Sequence, residues 1–276
     1  MASLMRPSIE NRSYGRFVRE FVRSTGQTLR VLAPMYIDER AKAVITAAEV
    51  TSGATTFGGD FSGAVGINTS AAGAPTLGIT ANPDALGGRG LSALTDNTSE
   101  AQATGIIWAS AVSGTNADID VRKPGGCEFE IQFDATLSTV PAHATHEVFV
   151  GLTSAYQTVT TSFPEDISGF KGVGFRLQTA GAIRCVTDDN TTATEAAATP
   201  TYATATRYHL RIEWDNETTI RFYVNGAQVC MSTAFTLAAI STTKLARAFY
   251  VARKANTTPH GCTLSRVQLW TGVATT

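Results

Sequence analysis

The segment from Tyr208 to Cys230 constrains the fold more than any other part of the chain. Apolar and polar residues alternate over 208–214 and again over 220–224, and this period of two is typical of a half-buried strand. Asn225-Gly226 follows, and Asn-Gly favours a type I′ hairpin turn, which needs a positive φ at both central residues. The segment therefore predicts three antiparallel strands. The residues expected to face the core are Leu210, Ile212, Trp214, Phe222 and Val224.

Similar strand signals continue from residue 105 to residue 270, with polar turns between them and no helical pattern. They lie at 106–108, 127–133, 147–152, 172–177, 182–186, 208–230, 245–251 and 262–270. About nine or ten short strands without intervening helices predict a mainly β protein built as an antiparallel β-sandwich.

The N-terminal region has a different pattern. Phe17 and Phe21 are four residues apart, as are Val18 and Val22, and arginines occupy the other faces of residues 13–24. We expect a short amphipathic, basic helix here. It would dock on its own domain, lie on a neighbouring subunit or partner, or rest on a membrane surface. The candidate partner-binding residues of this arm are Arg12, Arg16, Phe17, Arg19, Phe21 and Arg23.

Charge and composition divide the chain into three predicted parts. Residues 1–42 hold eight basic and four acidic residues, whereas the remainder holds fourteen basic and nineteen acidic residues. Residues 51–104 are rich in Gly, Ala, Ser and Thr and offer little to a thick core. We therefore predict an attachment arm at 1–50, an extended or linking region at 51–104 and the sandwich at 105–276. The net charge of −1 does not indicate a specific nucleic-acid partner.

The four cysteines are far apart and form no C-x-x-C pair, so we expect them to be small buried side chains rather than zinc ligands. They are Cys127, Cys185, Cys230 and Cys262. The N-terminus has no apolar segment of the signal-peptide kind, and no run of about 18 apolar residues predicts a membrane span. We expect synthesis in a cytoplasm and no membrane partner.

Five strand segments share a recognisable pattern: Cys-Glu-Phe-Glu-Ile-Gln-Phe-Asp at 127–134, Gly-Val-Gly-Phe-Arg-Leu at 172–177, Tyr-His-Leu-Arg-Ile-Glu-Trp at 208–214, Ile-Arg-Phe-Tyr-Val-Asn-Gly at 220–226 and Leu-Ser-Arg-Val-Gln-Leu-Trp at 264–270. Together they resemble the concanavalin A-like (laminin-G-like) jelly-roll family, in particular the versions found in virion proteins of tailed bacteriophages. The resemblance covers about residues 105–270 and implies a jelly-roll sandwich preceded by an arm.

Because this family includes glucanases, a hydrolase is one hypothesis. Glu128, Glu130 and Asp134 share one face of a predicted strand, and neighbours on that face lie about 6.5–7 Å apart, close to the spacing of hydrolytic carboxylates. The sequence nevertheless departs from the Glu-x-Asp-x-x-Glu pattern of those enzymes. We interpret the three acids as solvated residues of an outer face. Neither a G-x-S-x-G nor an H-E-x-x-H motif is present, so no catalytic residue is predicted.

Binding sites are indicated only by position in long loops. Asp188, Asp189 and Asn190 place oxygen ligands in one loop, but we interpret this loop as a solvated turn, and neither a metal nor another cofactor is predicted. Tyr156, Asp166 and Tyr202 are candidate glycan-binding residues on loops.

The leading functional hypothesis is a non-enzymatic structural protein of a phage particle, namely a capsid decoration (cement) protein. Its partners would be the major capsid protein or other virion proteins, it would form a homotrimer, and it would be assembled into the virion in the host cytoplasm. The alternative is a tail fibre or spike module that recognises host glycan. A glycan hydrolase using Glu128 and Glu130 is the third hypothesis.

Overall fold

The structure is a computed structural model. It describes residues 8–13, 16–22, 28–32, 36–40, 65–69, 73, 76–81, 89–108, 119–133, 146–154, 171–177, 182–198, 201–203, 206–240 and 243–271.

These residues form eighteen β-strands and, at Ala238–Ile240, one turn of 3-10 helix. The strands are β1 Ser8–Ser13, β2 Arg16–Val22, β3 Thr28–Leu32, β4 Tyr36–Arg40, β5 Val65–Thr69, β6 Thr76–Ala81, β7 Arg89–Leu94, β8 Glu100–Ile107, β9 Gly125–Phe133, β10 His146–Thr153, β11 Gly172–Leu177, β12 Ile183–Asp188, β13 Ala193–Ala198, β14 Arg207–Asn216, β15 Thr219–Val224, β16 Ala227–Val229, β17 Ala246–Asn256 and β18 Gly261–Thr271. No helix in this described set is long and apolar enough to cross a membrane.

Three sheets organise these strands. A small N-terminal sheet has the order β1-β2-β3. A seven-stranded sheet has the order β13-β12-β11-β10-β17-β8-β5. An eight-stranded sheet has the order β16-β15-β14-β9-β18-β7-β6, with β4 paired to β18. Every paired strand is antiparallel, and the two large sheets form the predicted β-sandwich.

The hairpin segment of the sequence is confirmed as β14, β15 and β16. Asn225 and Gly226 have φ values of 50° and 84°, as a type I′ turn requires. All five residues predicted to face the core are buried, and Leu210 pairs with Val224 while Ile212 pairs with Phe222. Alternation along a strand places one side chain in two on the core face, so this segment forms one inner surface of the sandwich.

The core between the two sheets is continuous. The seven-stranded sheet contributes Val150, Phe175 and Phe249, and the eight-stranded sheet contributes Phe129 and Ile131. A second buried cluster lies on the opposite face of the seven-stranded sheet and includes Ala103, Ile107, Phe149, Val186, Ala248 and Tyr250. The seven-stranded sheet is therefore buried on both faces.

The predicted amphipathic helix is wrong. Arg16–Val22 forms strand β2, which pairs with β1 on one side and β3 on the other, and Arg19 lies opposite both Ile9 and Val31. A four-residue spacing between Phe17 and Phe21 fits one face of a helix, but it is also an even number and so fits one face of a strand. Val and Phe favour strands, and neighbouring strands are available for pairing.

The start of the sandwich also differs from the predicted boundary at residue 105. Strands β5 to β8 belong to the two large sheets: β5 pairs with β8, and β6 pairs with β7. Even β4, within the predicted arm, pairs with β18 over five residues. Small residues can complete a sheet because backbone hydrogen bonds hold a strand whatever its side chains.

The cysteine prediction was wrong for two of the four residues. Cys185 and Cys230 form a disulfide with a Cα–Cα distance of 6.6 Å. Cys127 and Cys262 are outside this disulfide and are buried, as expected. The disulfide joins β12 of the seven-stranded sheet to the residue that follows β16 of the eight-stranded sheet.

Candidate functional site

The outer face of the eight-stranded sheet carries a row of charged side chains on the two adjacent strands β9 and β14. Core residues such as Phe129 and Leu210 occupy the alternate positions of these strands. The outward positions hold Glu128, Glu130, Arg207, His209 and Arg211, which we call the polar ladder. In the strand register, Glu130 lies opposite His209 and Glu128 lies opposite Arg211.

Ion pairs connect the ladder diagonally. Arg207 Nη1 lies 2.8 Å from Glu130 Oε1, and His209 Nδ1 lies 3.3 Å from Glu128 Oε1. The His209 side chain is 44% exposed and Glu128 is 20% exposed. The ladder therefore presents partly accessible hydrogen-bond donors and acceptors on a rigid sheet.

The imidazole of His209 is tuned by this pairing. Its hydrogen bond to Glu128 raises its pKa, and partial burial opposes that rise. The backbone nitrogen of His209 also donates to Asn225 Oδ1 at 2.9 Å, so the hairpin turn helps to fix the strand that carries the ring. A raised pKa favours a positively charged imidazolium beside the carboxylate.

The ladder continues into a more buried region on the same face. The guanidinium carbon of Arg211 lies 4.2 Å from the centroid of the Tyr223 ring, a cation–π geometry. Arg211 Nε is also 3.4 Å from Glu213 Oε1. Arg211, Glu213 and Tyr223 are all at least nine-tenths buried, so this end of the face stabilises the sheet rather than meeting solvent.

The carboxylates considered for hydrolysis are thus placed on one face, as predicted, but each has a basic neighbour. Glu128 contacts His209 and Glu130 contacts Arg207. Asp134 lies outside the described residues.

The other predicted loop sites divide between buried and undescribed residues. Tyr202 is only 5% exposed and belongs to the core cluster, and burial raises the pKa of its hydroxyl. It therefore has no ring face to offer a glycan, which corrects that prediction. Tyr156 and Asp166 lie outside the described residues.

The aspartate-rich loop is a turn held by its own side chains. Asp188 Oδ1 accepts a hydrogen bond from the Asn190 backbone nitrogen at 2.7 Å, and Asp189 Oδ1 accepts hydrogen bonds from Thr191 and Thr192. Among the residues that the structure describes, no group of three or more His, Cys, Asp or Glu side chains is arranged to hold a metal ion.

The predicted arm residues lie on two strands of the N-terminal sheet. Arg12 is in β1, and Arg16, Phe17, Arg19 and Phe21 are in β2. Arg23 falls outside the described residues.

Sequence reasoning missed a charged network on the outer face of the seven-stranded sheet. Arg176 Nε donates to Glu147 Oε2 at 3.0 Å, and Arg176 also pairs with Glu195. Arg184 Nη1 lies 3.2 Å from the other oxygen of Glu195. The network therefore crosses the four neighbouring strands β10 to β13. The sequence signal for this network was the presence of two charged residues, Glu147 and Arg176, at polar positions of two predicted strands.

An aromatic pair lies beside this network. The rings of Phe149 and Tyr250 stack with centroids 5.2 Å apart. Gly174 makes room for them, because a Cβ at that position would lie 2.7 Å from Phe149 Cε2. Both rings are wholly buried, so this face is a packed layer of the protein.

A family model described as the concanavalin A-like lectin/glucanases superfamily matches residues 126–276. The chain belongs to this superfamily. The match begins within β9 and includes the polar ladder, the hairpin segment and both cysteines of the disulfide. The concanavalin A-like family expected from the sequence is therefore confirmed.

The chain is also similar to several solved structures, each at low sequence identity. A protein of unknown function from Shewanella oneidensis MR-1 has a TM-score of 0.53 at 13% identity, with 87% of this chain and 88% of that one covered. A carbohydrate esterase from the Shiga toxin-encoding bacteriophage phi24B has a TM-score of 0.44 at 12% identity, with coverages of 76% and 91%. An endo-1,3-beta-glucanase from Streptomyces sioyaensis has a TM-score of 0.40 at 15% identity, with coverages of 78% and 77%. No curated protein sequence matches the chain.

Proposed function

We propose that this protein is a non-enzymatic structural protein of a tailed-bacteriophage particle. In the most specific form of the proposal it is a capsid decoration protein that binds the major capsid protein through its N-terminal sheet and displays the lectin-like sandwich. One observation carries the proposal: in the described residues, strands β1 to β3 pair only with one another, whereas β4 and all later strands pair within the sandwich. A separate small sheet is suited to attachment because its contacts do not disturb the larger fold.

The charge distribution supports the same division. The excess of basic over acidic residues is confined to 1–42, and the remainder of the chain is acidic overall. An acidic surface of the particle would attract the basic N-terminal sheet, whereas it would repel the acidic sandwich. We expect a homotrimer, since closed symmetry is the rule for such assemblies.

Removing the N-terminal sheet should abolish particle binding without unfolding the sandwich. The truncated chain should begin at Tyr36, because β4 is paired with β18 and a longer deletion would expose the edge of the sandwich. Co-sedimentation with particles that lack the protein measures binding, and a thermal melt verifies folding. Electron microscopy of decorated particles gives the location and the symmetry.

Full-length charge variants provide the matched control for this truncation. Replacing Arg12, Arg16 and Arg19 with glutamine should weaken binding and make it less sensitive to salt. The same number of changes in the sandwich, at Arg184, Arg207 and Arg221, should leave binding unchanged. Full occupancy of particles by the truncated protein would overturn the proposed attachment.

Glycan binding is a second candidate function, favoured by the partly exposed polar ladder. Carboxylate, imidazole and guanidinium groups at fixed spacing can hydrogen-bond to neighbouring hydroxyl groups, and few such groups are needed to orient a ligand. On a glycan array, saturable binding should be lost in Glu128→Gln and in His209→Ala and retained in Tyr202→Phe, whose hydroxyl is buried. Retention of binding in both ladder variants would rule out this face.

A further inference from the structure

The disulfide lies at one edge of the sandwich. Cys185 is on β12, next to the terminal strand β13 of the seven-stranded sheet, and Cys230 directly follows the terminal strand β16 of the eight-stranded sheet. The bond closes a loop of 45 residues. It therefore links the two sheets at the edge where each of them ends in a terminal strand.

Besides the disulfide, this edge is held by the pairing of β13 with β12 and by the ion pairs of Glu195 with Arg176 and Arg184. Strand β16 is only three residues long, and in the described residues β13 pairs with β12 alone. Cys230 Sγ lies 3.5 Å from the carbonyl oxygen of Ala196 on β13, so the disulfide also touches the terminal strand. Strands at the edge of a sheet open more readily than central ones, because they have fewer hydrogen bonds and packing contacts to lose.

Most of the core does not depend on the disulfide. On β11, the strand next to that of Cys185, the Phe175 ring packs edge-on against the Phe222 ring with centroids 5.3 Å apart. The Phe222 ring in turn packs against the Phe235 ring with centroids 4.8 Å apart. The central strands β9 and β18 pair over nine residues and contribute wholly buried side chains. We therefore expect the reduced chain to fold on this buried core.

Cys127 and Cys262 are too far apart to form a second bridge, because Cys262 lies opposite Phe133, six residues along β9 from Cys127. Cys127 and Cys262 are wholly buried on the central strands β9 and β18, whereas Cys230 is partly exposed next to the highly exposed Met231. An external reagent therefore reaches Cys230 first.

We infer that Cys185 and Cys230 form a redox-controlled lock: the sandwich folds with both thiols reduced, and oxidation in a disulfide-permissive environment closes its β13–β16 edge. Disulfides rarely persist in a reducing cytoplasm, so a protein made there would acquire this lock after leaving it. The inference goes beyond the proposed function, and it holds whether or not the protein is part of a particle.

A small-molecule disulfide such as oxidised glutathione supplies the oxidising equivalents. The Cys230 thiolate attacks one sulfur of the reagent, which forms a mixed disulfide and releases one small thiolate. The Cys185 thiolate then attacks the Cys230 sulfur and releases the second. Two protein thiols are oxidised, one reagent disulfide is reduced to two thiols, and the two protons pass to the released thiolates.

The test compares full-length protein equilibrated with dithiothreitol and with oxidised glutathione. Thiol titration in denaturant should find four thiols and two thiols, respectively. Oxidation should decrease the equilibrium constant for unfolding by about 30- to 700-fold. In hydrogen exchange, reduction should accelerate the amides of β13 and β16 and leave those of β9 and β18 protected.

Two variants distinguish the lock from a general effect of thiol reagents. The double variant Cys185→Ala with Cys230→Ala should fold, match the reduced protein and ignore both reagents. Cys127→Ala should keep the full response to dithiothreitol, whatever its own stability. Four thiols after oxidation, equal stability of the two redox states, or global unfolding on reduction would each overturn the inference.

Discussion

Replacing Arg176 with methionine should lower the free energy of unfolding by about 3–5 kcal/mol, because it removes the guanidinium group that pairs with the wholly buried Glu147 carboxylate. Arg176 donates to Glu147 at 3.0 Å and also pairs with Glu195, so one substitution removes the centre of the network. Methionine retains most of the side-chain volume, so the loss reports on charge rather than on a cavity. Urea denaturation of the purified protein measures it.

A matched control exists on the neighbouring strand. Arg184 contacts the same Glu195, but its side chain is 40% exposed. Arg184→Met should therefore cost less than about 1 kcal/mol, since water solvates the carboxylate that remains. A second variant, Arg176→Met with Glu147→Gln, should recover part of the lost stability, because it also removes the buried negative charge. Equal losses for Arg176→Met and Arg184→Met would show that burial does not set the strength of this network.

The network illustrates which features of this fold can be predicted from the sequence. Alternation in 208–230 predicts β14 to β16, because residues two apart share a face and the Asn-Gly turn fixes the register. Glu147 and Arg176 are recognisable as polar positions of their strands. The ion pair between them is not recognisable from the sequence. It depends on β10 and β11 being neighbours, and the neighbours in a sheet are set by the whole topology.

Two errors in the N-terminal half have the same origin. The pattern of β2 fits both periods, since every fourth residue lies on one face of a helix and also on one face of a strand. The residues around β5 to β7 contain too few large apolar side chains to reveal a strand. In both cases pairing with other strands accounts for the observed structure, and such pairing outweighs local propensity.

Candidate binding residues were harder to predict than the fold. Tyr202 follows a polar loop, but it lies in the core and its neighbour Ala203 donates a backbone hydrogen bond to the Tyr208 hydroxyl at 2.7 Å. Loop position alone did not distinguish a buried aromatic residue from an exposed one. The disulfide was missed because its two cysteines are 45 residues apart and on different sheets.

Replacing Trp214 with alanine should be among the most damaging changes in the hairpin segment, with a loss of about 3–5 kcal/mol. The side chain is almost wholly buried, and its indole Nε1 donates to the Lys123 carbonyl at 2.6 Å. The ring also lies against Gly125, where a Cβ would be 2.6 Å from the Trp214 Cζ2 atom. Alanine would therefore leave a cavity and an unpaired carbonyl at Lys123, just before β9.

Two further substitutions separate the packing of this ring from its hydrogen bond. Trp214→Phe keeps most of the apolar ring but has no hydrogen-bond donor, so it should lower the free energy of unfolding less than alanine does. The lost hydrogen bond leaves the Lys123 carbonyl unpaired and should cost about 1–3 kcal/mol. Thr218→Ala, in the exposed turn between β14 and β15, should change stability by about 0.5 kcal/mol or less. Chemical denaturation should rank the losses as alanine at 214, phenylalanine at 214, then alanine at 218. If Trp214→Phe cost as much as Trp214→Ala, the hydrogen bond to Lys123 rather than ring packing would hold β14 against β9.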